Sequence, residues 1–341
     1  MNRQTIHVKA LQRMGNVLEC EGDYDASEVA LQRALTKAET LAQRASILND
    51  IAWVMLRKGE VDHAQQLGKQ ALQLCDALED SDRLRAQIFD HLGTIAEQQG
   101  DVAQSLQLHR QSLTIKERLS DTFGILESAN NLGAVNQTIG NYQEAMQEFE
   151  MCFQLSSQVG YTLGTAMATL NIGLIHNNLM NLDHAIEHYN NALTQFQSIG
   201  HRQGTALCLG NLGTAYQMRH DHQQARNYLD QALSLYTALS DEEGQADVRV
   251  WRAQNMLETH YLDDAQAEAA LALNIAQNAQ SIEQTAYAHR ALARIFAAQS
   301  QFDLAVNAYQ AAQQLFEQVN NTTEIRSLSS EMQELENKKG P

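Results

Sequence analysis

The segment SANNLGAVNQTIGNYQEAMQEFEMC, residues 128–152, contains the pattern that decides the fold. Gly133 lies in a first amphipathic stretch, Gly140-Asn141 interrupts it, and a second amphipathic stretch follows with two more small residues. Glycine commonly ends a helix, and an asparagine after it caps the next one. Since a single helix pair cannot bury its apolar face alone, the segment predicts a helix–turn–helix unit that is repeated and stacked.

Small residues recur along the chain at this unit's spacing. One small residue lies every forty positions, at Gly93, Gly133, Gly173, Gly213, Ala253 and Ala293. Two less regular units precede these six and carry Gly15 and Ala52 at the same place. Small side chains let helices approach closely, so the spacing predicts an all-α solenoid.

Eight repeats and a terminal helix follow from this spacing. The terminal segment, residues 322–337, is predicted to be a capping helix, with Glu331, Glu334 and Glu336 providing the polar outer face that an exposed end needs. Residues 338–341 are expected to form a flexible tail. The repeats are predicted near residues 8–41, 45–78, 86–119, 126–159, 166–199, 206–239, 246–279 and 286–319.

Composition agrees with an all-helical protein and limits its partners. The 341 residues include one proline, at position 341, so the main helix breaker is absent from the interior. The formal net charge of −17 argues against binding to nucleic acid, which requires clustered Lys and Arg. No apolar run approaches the length of a membrane span, and the four cysteines show no CxxC spacing. We therefore expect a cytoplasmic protein with reduced thiols.

The repeat resembles the tetratricopeptide repeat, a family that places Leu-Gly, Tyr and Ala at set offsets. Leu212-Gly213, Tyr216, Ala225 and Ala232 match those positions. The usual repeat has about 34 residues and closes with a proline, whereas these units have forty and no internal proline. The extra length predicts longer helices or a longer connection. A longer connection is suggested by four further glycines, which recur every forty residues shortly before the first helix of a repeat: Gly124, Gly164, Gly204 and Gly244.

Forty-residue units with Asn-Leu-Gly are similar to those of the Pins/LGN polarity adaptors, of kinesin light chain and of bacterial sensor arrays of STAND ATPases and transcription regulators. The resemblance implies a right-handed superhelical α-solenoid of about eight repeats whose first helices line a concave groove. It also implies a protein–protein interaction scaffold that binds a peptide or protein segment there, one form being the sensor part of a bacterial regulatory system.

In the register that the resemblance implies, the groove has an apolar half and an acidic half. The acidic half, in repeats three and four, includes Asp90 and Glu127. An alternative for Leu170 and Leu174 is that they only pack against adjacent helices. The groove candidates of repeats five and six are Met167, Leu170, Leu174, Leu207, Gln217 and Met218.

Asparagines occupy one position in three consecutive repeats, two residues before the glycine of the first helix: Asn131, Asn171 and Asn211. An amide offers both a donor and an acceptor, so it can pair with a peptide backbone of any sequence. Similar repeats hold an extended peptide in this way. The alternative is that these amides bridge neighbouring repeats, because buried amides need partners.

Arg290 and Arg294 lie one helical turn apart in the eighth repeat. Such a pair can bind a carboxylate through two parallel hydrogen bonds, and chaperone-binding repeats keep cations at this place for a partner's terminal carboxylate. The alternative is a pair of ordinary surface arginines.

Histidines offer weak metal-binding patterns. His184 and His188 are four residues apart, and His220-Asp221-His222 falls in a turn, but the sequence identifies no third ligand for either group. We therefore expect no cofactor and no enzymatic activity. The alternative, a metal-dependent or phosphatase-like regulatory enzyme, would need titratable groups that converge in a cleft. A homodimer through a terminal repeat is a further expectation, since little sequence precedes the first helix.

Overall fold

The described part of the chain is built from α-helices. This computed structural model describes residues 3–319 and 321–339, which form 17 helices and no strand. The predicted all-α class is therefore confirmed. The helices are α1 (Arg3–Cys20), α2 (Tyr24–Lys37), α3 (Leu41–Arg57), α4 (Val61–Cys75), α5 (Asp82–Gln98), α6 (Val102–Arg118), α7 (Thr122–Thr138), α8 (Tyr142–Gln158), α9 (Thr162–Asn178), α10 (Leu182–Ser198), α11 (Arg202–Met218), α12 (His222–Leu239), α13 (Glu242–Glu258), α14 (Leu262–Asn278), α15 (Ile282–Ala298), α16 (Phe302–Gln318) and α17 (Thr322–Lys339).

The helices fall into two compact units, one up to Leu155 and one from Ser156 onward. In the second unit each helix from α9 to α17 packs against the next, and α9, α11, α13 and α15 also contact one another in succession. Successive second helices, such as α10 and α12, have no contact of this extent among the described residues. The first helices therefore form the inner layer of this unit, as a solenoid requires. Within the first unit, each helix from α1 to α7 packs against the next, and α1, α3 and α5 contact one another in succession.

The forty-residue spacing of glycines has a packing cause. A Cβ atom added at Gly133 would lie 2.6 Å from Cε1 of Phe149, and one added at Gly173 would lie 2.8 Å from Cδ1 of Tyr189. Each ring belongs to the second helix of the same repeat and is buried. The glycine of the first helix thus leaves the space that a large side chain fills, which gives the dense packing that protein cores need.

Short turns join the helices, and one residue in each of many turns has a positive φ. Gly140 has φ +82°, but Met180 and His220 adopt nearly the same conformation, at +59° and +62°. Asp or Asn then precedes many of the next helices, and Asp221 caps α12 by accepting from the backbone N–H of Gln224 at 3.1 Å. The turn predicted from Gly140-Asn141 thus persists in repeats without its glycine.

The extra length of the repeat lies in the helices, most of which have 17 residues, and not in the connections. Gly124, Gly164, Gly204 and Gly244 lie in the first turn of a helix instead of preceding it. A Cβ at Gly204 would lie 2.4 Å from Phe196 at the end of the preceding helix, so this glycine permits a close approach. The helices consequently begin four or five residues before the predicted repeat starts.

The first and the last helix differ from the helices between them, since each has, among the described residues, a neighbouring helix on one side only. Helix α17 is the predicted terminal helix, and its Leu328 and Leu335 are buried against the preceding repeat. It runs to Lys339, so the backbone of two residues expected in the tail is helical, while residues 340–341 lie outside the described part. At the other end, α1 exposes Ile6, Met14 and Val17. Dimerisation through a terminal repeat stays a prediction.

The four cysteines are free thiols, as expected, and only Cys20 is exposed. Burial raises the pKa of the Cys152 and Cys208 thiols to about 12, so both are protonated at neutral pH. Among the described residues, none of the helices is both long enough and apolar enough to cross a membrane.

Candidate functional site

The candidate site is a surface on the first helices of repeats five and six, within the second compact unit. We call it the α9–α11 face and define it by Met167 and Asn171 on α9 and by Leu207 and Asn211 on α11. The two pairs occupy equivalent positions, four residues apart, on two helices that contact each other. An apolar side chain and an amide therefore alternate on one helical face, since residues i and i+4 are neighbours on a helix.

The two apolar side chains of the face are accessible, and so is the nearby candidate Met218. Met167 is 46% exposed, Leu207 is 39% exposed and Met218, at the end of α11, is 36% exposed. Burial of large apolar side chains away from water lowers the free energy. Exposed ones on neighbouring helices therefore favour a contact with another molecule. Met167 and Leu207 are thus both accessible to another molecule.

Two of the predicted apolar residues serve the core. Leu170 is only 4% exposed and packs with Ala166, Tyr189 and Leu212, and the half-buried Leu174 lies against the same cluster. For Leu170 the structure thus agrees with the alternative of packing between helices. Leu170, three residues after Met167, therefore points into the core between α9, α10 and α11.

The amide nitrogen of Asn211 lacks a hydrogen-bond partner among the described residues. This Nδ2 atom is buried, although the residue as a whole is half-buried. An unsatisfied buried donor costs about 1–3 kcal/mol, so this amide is held in place at a cost. Asn171 and Asn131 are also half-buried, but Asn131 lies on α7 in the first compact unit.

Trp251 borders the face on the next inner helix, α13, at the position equivalent to the asparagines. Its ring packs against Gly210, where an added Cβ would lie 2.7 Å from Cζ3. Gly210, next to Asn211 in sequence, therefore leaves the space that the Trp251 ring occupies. Asp247, the α13 equivalent of Met167 and Leu207, is half-buried, and burial raises its pKa to about 7. The face thus changes from apolar to titratable at α13.

Gln217 does not lie free on this face. It is buried, and its Nε2 donates to Oε1 of Glu258 at 2.8 Å. Its predicted contact with a groove ligand is therefore replaced by a hydrogen bond within the chain. The physical reason is that Glu258 ends the neighbouring inner helix, forty-one residues later, where sequence spacing alone gives no sign of the pairing.

Arg290 and Arg294 hold a carboxylate of the chain itself. Arg290 Nε donates to Oε1 of Glu331 at 3.0 Å, and Arg294 Nε donates to Oε2 at 2.8 Å. Arg290 also pairs with Glu324, and the Tyr309 hydroxyl donates to Glu331 at 3.1 Å. The expectation of a clamp open to a partner's carboxylate is corrected, because α17 supplies Glu331 to it. Glu331 accordingly faces inward, and not outward as expected for the cap.

The acidic half of the predicted groove also changes in the structure. Asp90 is buried on α5 and accepts hydrogen bonds from Ser112 Oγ at 2.8 Å and from His109 Nδ1 at 3.1 Å. It also pairs with the buried Lys116 on α6, which reaches the exposed Glu127 at 2.9 Å. Asp90 is therefore the centre of a buried polar network and not a groove residue.

Sequence reasoning missed partners for both histidine groups. The ring of His176 on α9 stacks 5.3 Å from those of His184 and His188 on α10. Burial and the neighbouring imidazoles lower the pKa of His176. At the other group, Glu258 on α13 lies near His220 and His222. Each added residue comes from another helix, so only the packed structure shows it.

Comparison with known proteins agrees with this architecture. The sequence profile described as tetratricopeptide repeat matches residues 84–158 and 164–238. No curated protein sequence matches the chain.

Several solved structures are similar to the chain in fold. The quorum sensor NprR from B. thuringiensis, in its apo form, has a TM-score of 0.73 at 12% identity, with 93% of this chain and 89% of NprR covered. A Rap protein complexed with Competence and Sporulation Factor has a TM-score of 0.63 at 12% identity. The match covers 92% of this chain and 98% of the Rap protein. A STAND protein from Pyrococcus horikoshii with a tetratricopeptide repeat sensor has a TM-score of 0.64 at 15% identity. The match covers 95% of this chain and 50% of the STAND protein.

These likenesses extend the helical-repeat fold over nearly the whole chain, and the profile identifies the repeat itself. The sensor arrays of STAND proteins, expected from the sequence to be similar, are among the matches. Residues 84–158 and 164–238 thus match the tetratricopeptide repeat, as the sequence resemblance predicts, and the chain contains repeats of this kind.

Proposed function

We propose that this protein is an interaction scaffold whose α9–α11 face binds an extended peptide segment of a partner. The observation that carries the proposal is the pair of exposed side chains, Met167 and Leu207, at equivalent positions on two inner helices that contact each other. Each lies one helical turn before a half-buried asparagine, and the Nδ2 atom of Asn211 has no partner among the described residues. Leu207 and Met167 would contact apolar side chains of the segment. The amides of Asn211 and Asn171 would pair with its backbone, which fixes its course without dictating its sequence.

The similar structures support a sensory use of such a face. One of them is a quorum sensor, and another is a protein complexed with Competence and Sporulation Factor. Since the identities are low, these matches bear on the fold, and the sensory role in a bacterial regulatory system remains part of the proposal. In that role, the bound segment would be the signal or the regulated protein.

Changing the two asparagines together tests the amide pairing. We expect Asn171→Ala with Asn211→Ala to weaken partner binding about tenfold or more, because each lost hydrogen bond contributes about 0.5–1.5 kcal/mol. Pull-down from native lysate, quantified by mass spectrometry, identifies the partner and compares the variants. Circular dichroism should show that the double variant keeps its helical content.

Asn191→Ala is the matched control, since Asn191 is an exposed asparagine on α10, outside the inner layer. It should leave binding unchanged. A partner that binds the double variant as tightly as the unaltered chain would refute the pairing of amides with the peptide.

A further inference from the structure

Two histidines and a glutamate meet where the α11–α12 turn approaches the end of α13, inside the second compact unit. His220 lies in the turn, His222 begins α12 and Glu258 ends α13. Each residue offers one ligand atom, an imidazole nitrogen or a carboxylate oxygen, and these three atoms lie within 4.8 Å of one another. Small side-chain rotations would bring the three atoms to the spacing found around one metal ion.

A buried amide fixes the orientation and tautomer of His222. Asn255 Nδ2 donates to the backbone carbonyl of His222 at 3.2 Å, so its Oδ1 is the atom that faces Nδ1 of the ring, at 3.0 Å. An amide oxygen can only accept, and Nδ1 therefore carries the proton. In the neutral ring this hydrogen bond leaves the lone pair on Nε2, the atom that would then bind a metal.

A second buried amide holds the glutamate. Gln217 Nε2 donates to Oε1 of Glu258 at 2.8 Å, while Oε2 lies 3.8 Å from Nδ1 of His222. One carboxylate oxygen is thus held by a neutral donor, which leaves the other beside the His222 ring. Metal ligands are typically held by outer partners of this kind, which orient the rings and carboxylates. Gln217 and Asn255 are both buried, so their own positions are fixed by packing.

The repeat pattern does not require these three residues. The equivalent positions in the preceding repeat are Met180, Leu182 and Met218, which can fold the same turn without a titratable group. A cavity of about 260 Å³ borders the cluster and is lined by His222, Arg252 and Tyr261 among others. Space for a small ligand or a peptide group therefore lies beside the histidine.

We propose that His220, His222 and Glu258 bind a single divalent transition-metal ion, and that Zn²⁺ is the ion they suit best. Two imidazoles and one carboxylate form a ligand set that zinc accepts in tetrahedral sites, with the fourth position left for water or another ligand. Magnesium and calcium prefer sites made of oxygen atoms alone. The bound ion would join the α11–α12 turn to α13 and is independent of the peptide face proposed above.

Zinc titration of the full chain tests this site. The protein, dialysed first against a chelator and then against metal-free buffer, is titrated with Zn²⁺ by isothermal titration calorimetry. We expect saturable binding of one ion, which His220→Ala and Glu258→Gln abolish. Gln217→Ala should weaken it by about 10–100-fold, the usual effect of losing an outer partner.

Two control variants locate the binding. His260 is exposed and has the same turn position one repeat later, with φ +63°, so His260→Ala should leave zinc affinity unchanged. His184→Ala removes one member of the other histidine group and should also have no effect. Absence of saturable zinc binding, or binding that survives His220→Ala, would overturn the proposal. Loss of binding on His184→Ala alone would place the ion at α9–α10 and overturn it equally. His220 is exposed, so its variant should fold normally.

Discussion

Replacing Asp90 with alanine is expected to destabilise the first compact unit by about 3–5 kcal/mol, the usual cost of removing one member of a buried ion pair. The substitution leaves the buried ammonium of Lys116 with Glu127 as its remaining anionic partner. It also removes the acceptor of the Ser112 and Ser128 hydroxyls. Urea unfolding followed by far-ultraviolet circular dichroism measures the loss.

Repeat five supplies the control for this prediction. The positions equivalent to Asp90 and Lys116 in repeat five are Leu170 and Phe196, both buried. Asp90→Leu combined with Lys116→Phe should therefore recover much of the loss, because replacing a whole buried pair with apolar residues is often neutral. If Asp90→Ala left the urea midpoint unchanged, the network would contribute nothing to stability.

The same network predicts a pH dependence. Burial would raise the pKa of Asp90, but the hydrogen bond from His109 and the charge of Lys116 outweigh it and hold the pKa below its usual value. A carboxyl whose pKa is lowered by folding stabilises the protein above its unfolded pKa. That stabilisation is lost as the pH falls through the folded pKa. Asp90→Asn should remove this part of the acid sensitivity.

Replacing Glu331 with glutamine is expected to release α17 from the eighth repeat, at a cost of roughly 2–3 kcal/mol for its charged hydrogen bonds. Burial would raise the pKa of Glu331, but hydrogen bonds from Arg294 and Arg290 lower it to about 2, from 4.5. Its contribution should therefore be complete above about pH 4.5 and decline as the pH falls toward 2. Hydrogen exchange of the α17 amides should be faster in the variant.

Glu334→Gln is the matched control for this change, since Glu334 lies on the same helix with an exposed side chain. It should not alter exchange in α17. Equal protection of α17 in the unaltered chain and in Glu331→Gln would show that the two arginines do not hold the helix in place.

Sequence reasoning predicted the repeated helix pair because its signal is local. Gly133 and Gly173 face the rings of Phe149 and Tyr189 in the same repeat. The spacing of the glycines therefore reflects contacts within each repeat. The helix starts were predicted late for a related reason. Gly204 resembles a connection residue, yet it lies in the first turn of α11 because it admits Phe196.

The candidate site was only partly predictable, because several of its members depend on contacts between repeats. Leu170 and Asp90 occupy the same position in their repeats, and both point into the core. The family resemblance placed this position in the groove instead. Arg290 and Arg294 had the spacing of a carboxylate clamp. Their partner Glu331 lies 41 and 37 residues away on a helix whose rotation the sequence leaves open.

The central claim is that the α9–α11 face binds a partner's peptide segment, and site-specific photo-crosslinking tests it most directly. A benzophenone amino acid placed at Leu207 should form a crosslink to one enriched partner in native lysate. The same group at Leu271, which is half exposed on the outer helix α14, should not form it. Crosslinking at position 207 should also fall when Asn171 and Asn211 are alanine. Equal crosslinking from positions 207 and 271, or none from 207, would contradict the account.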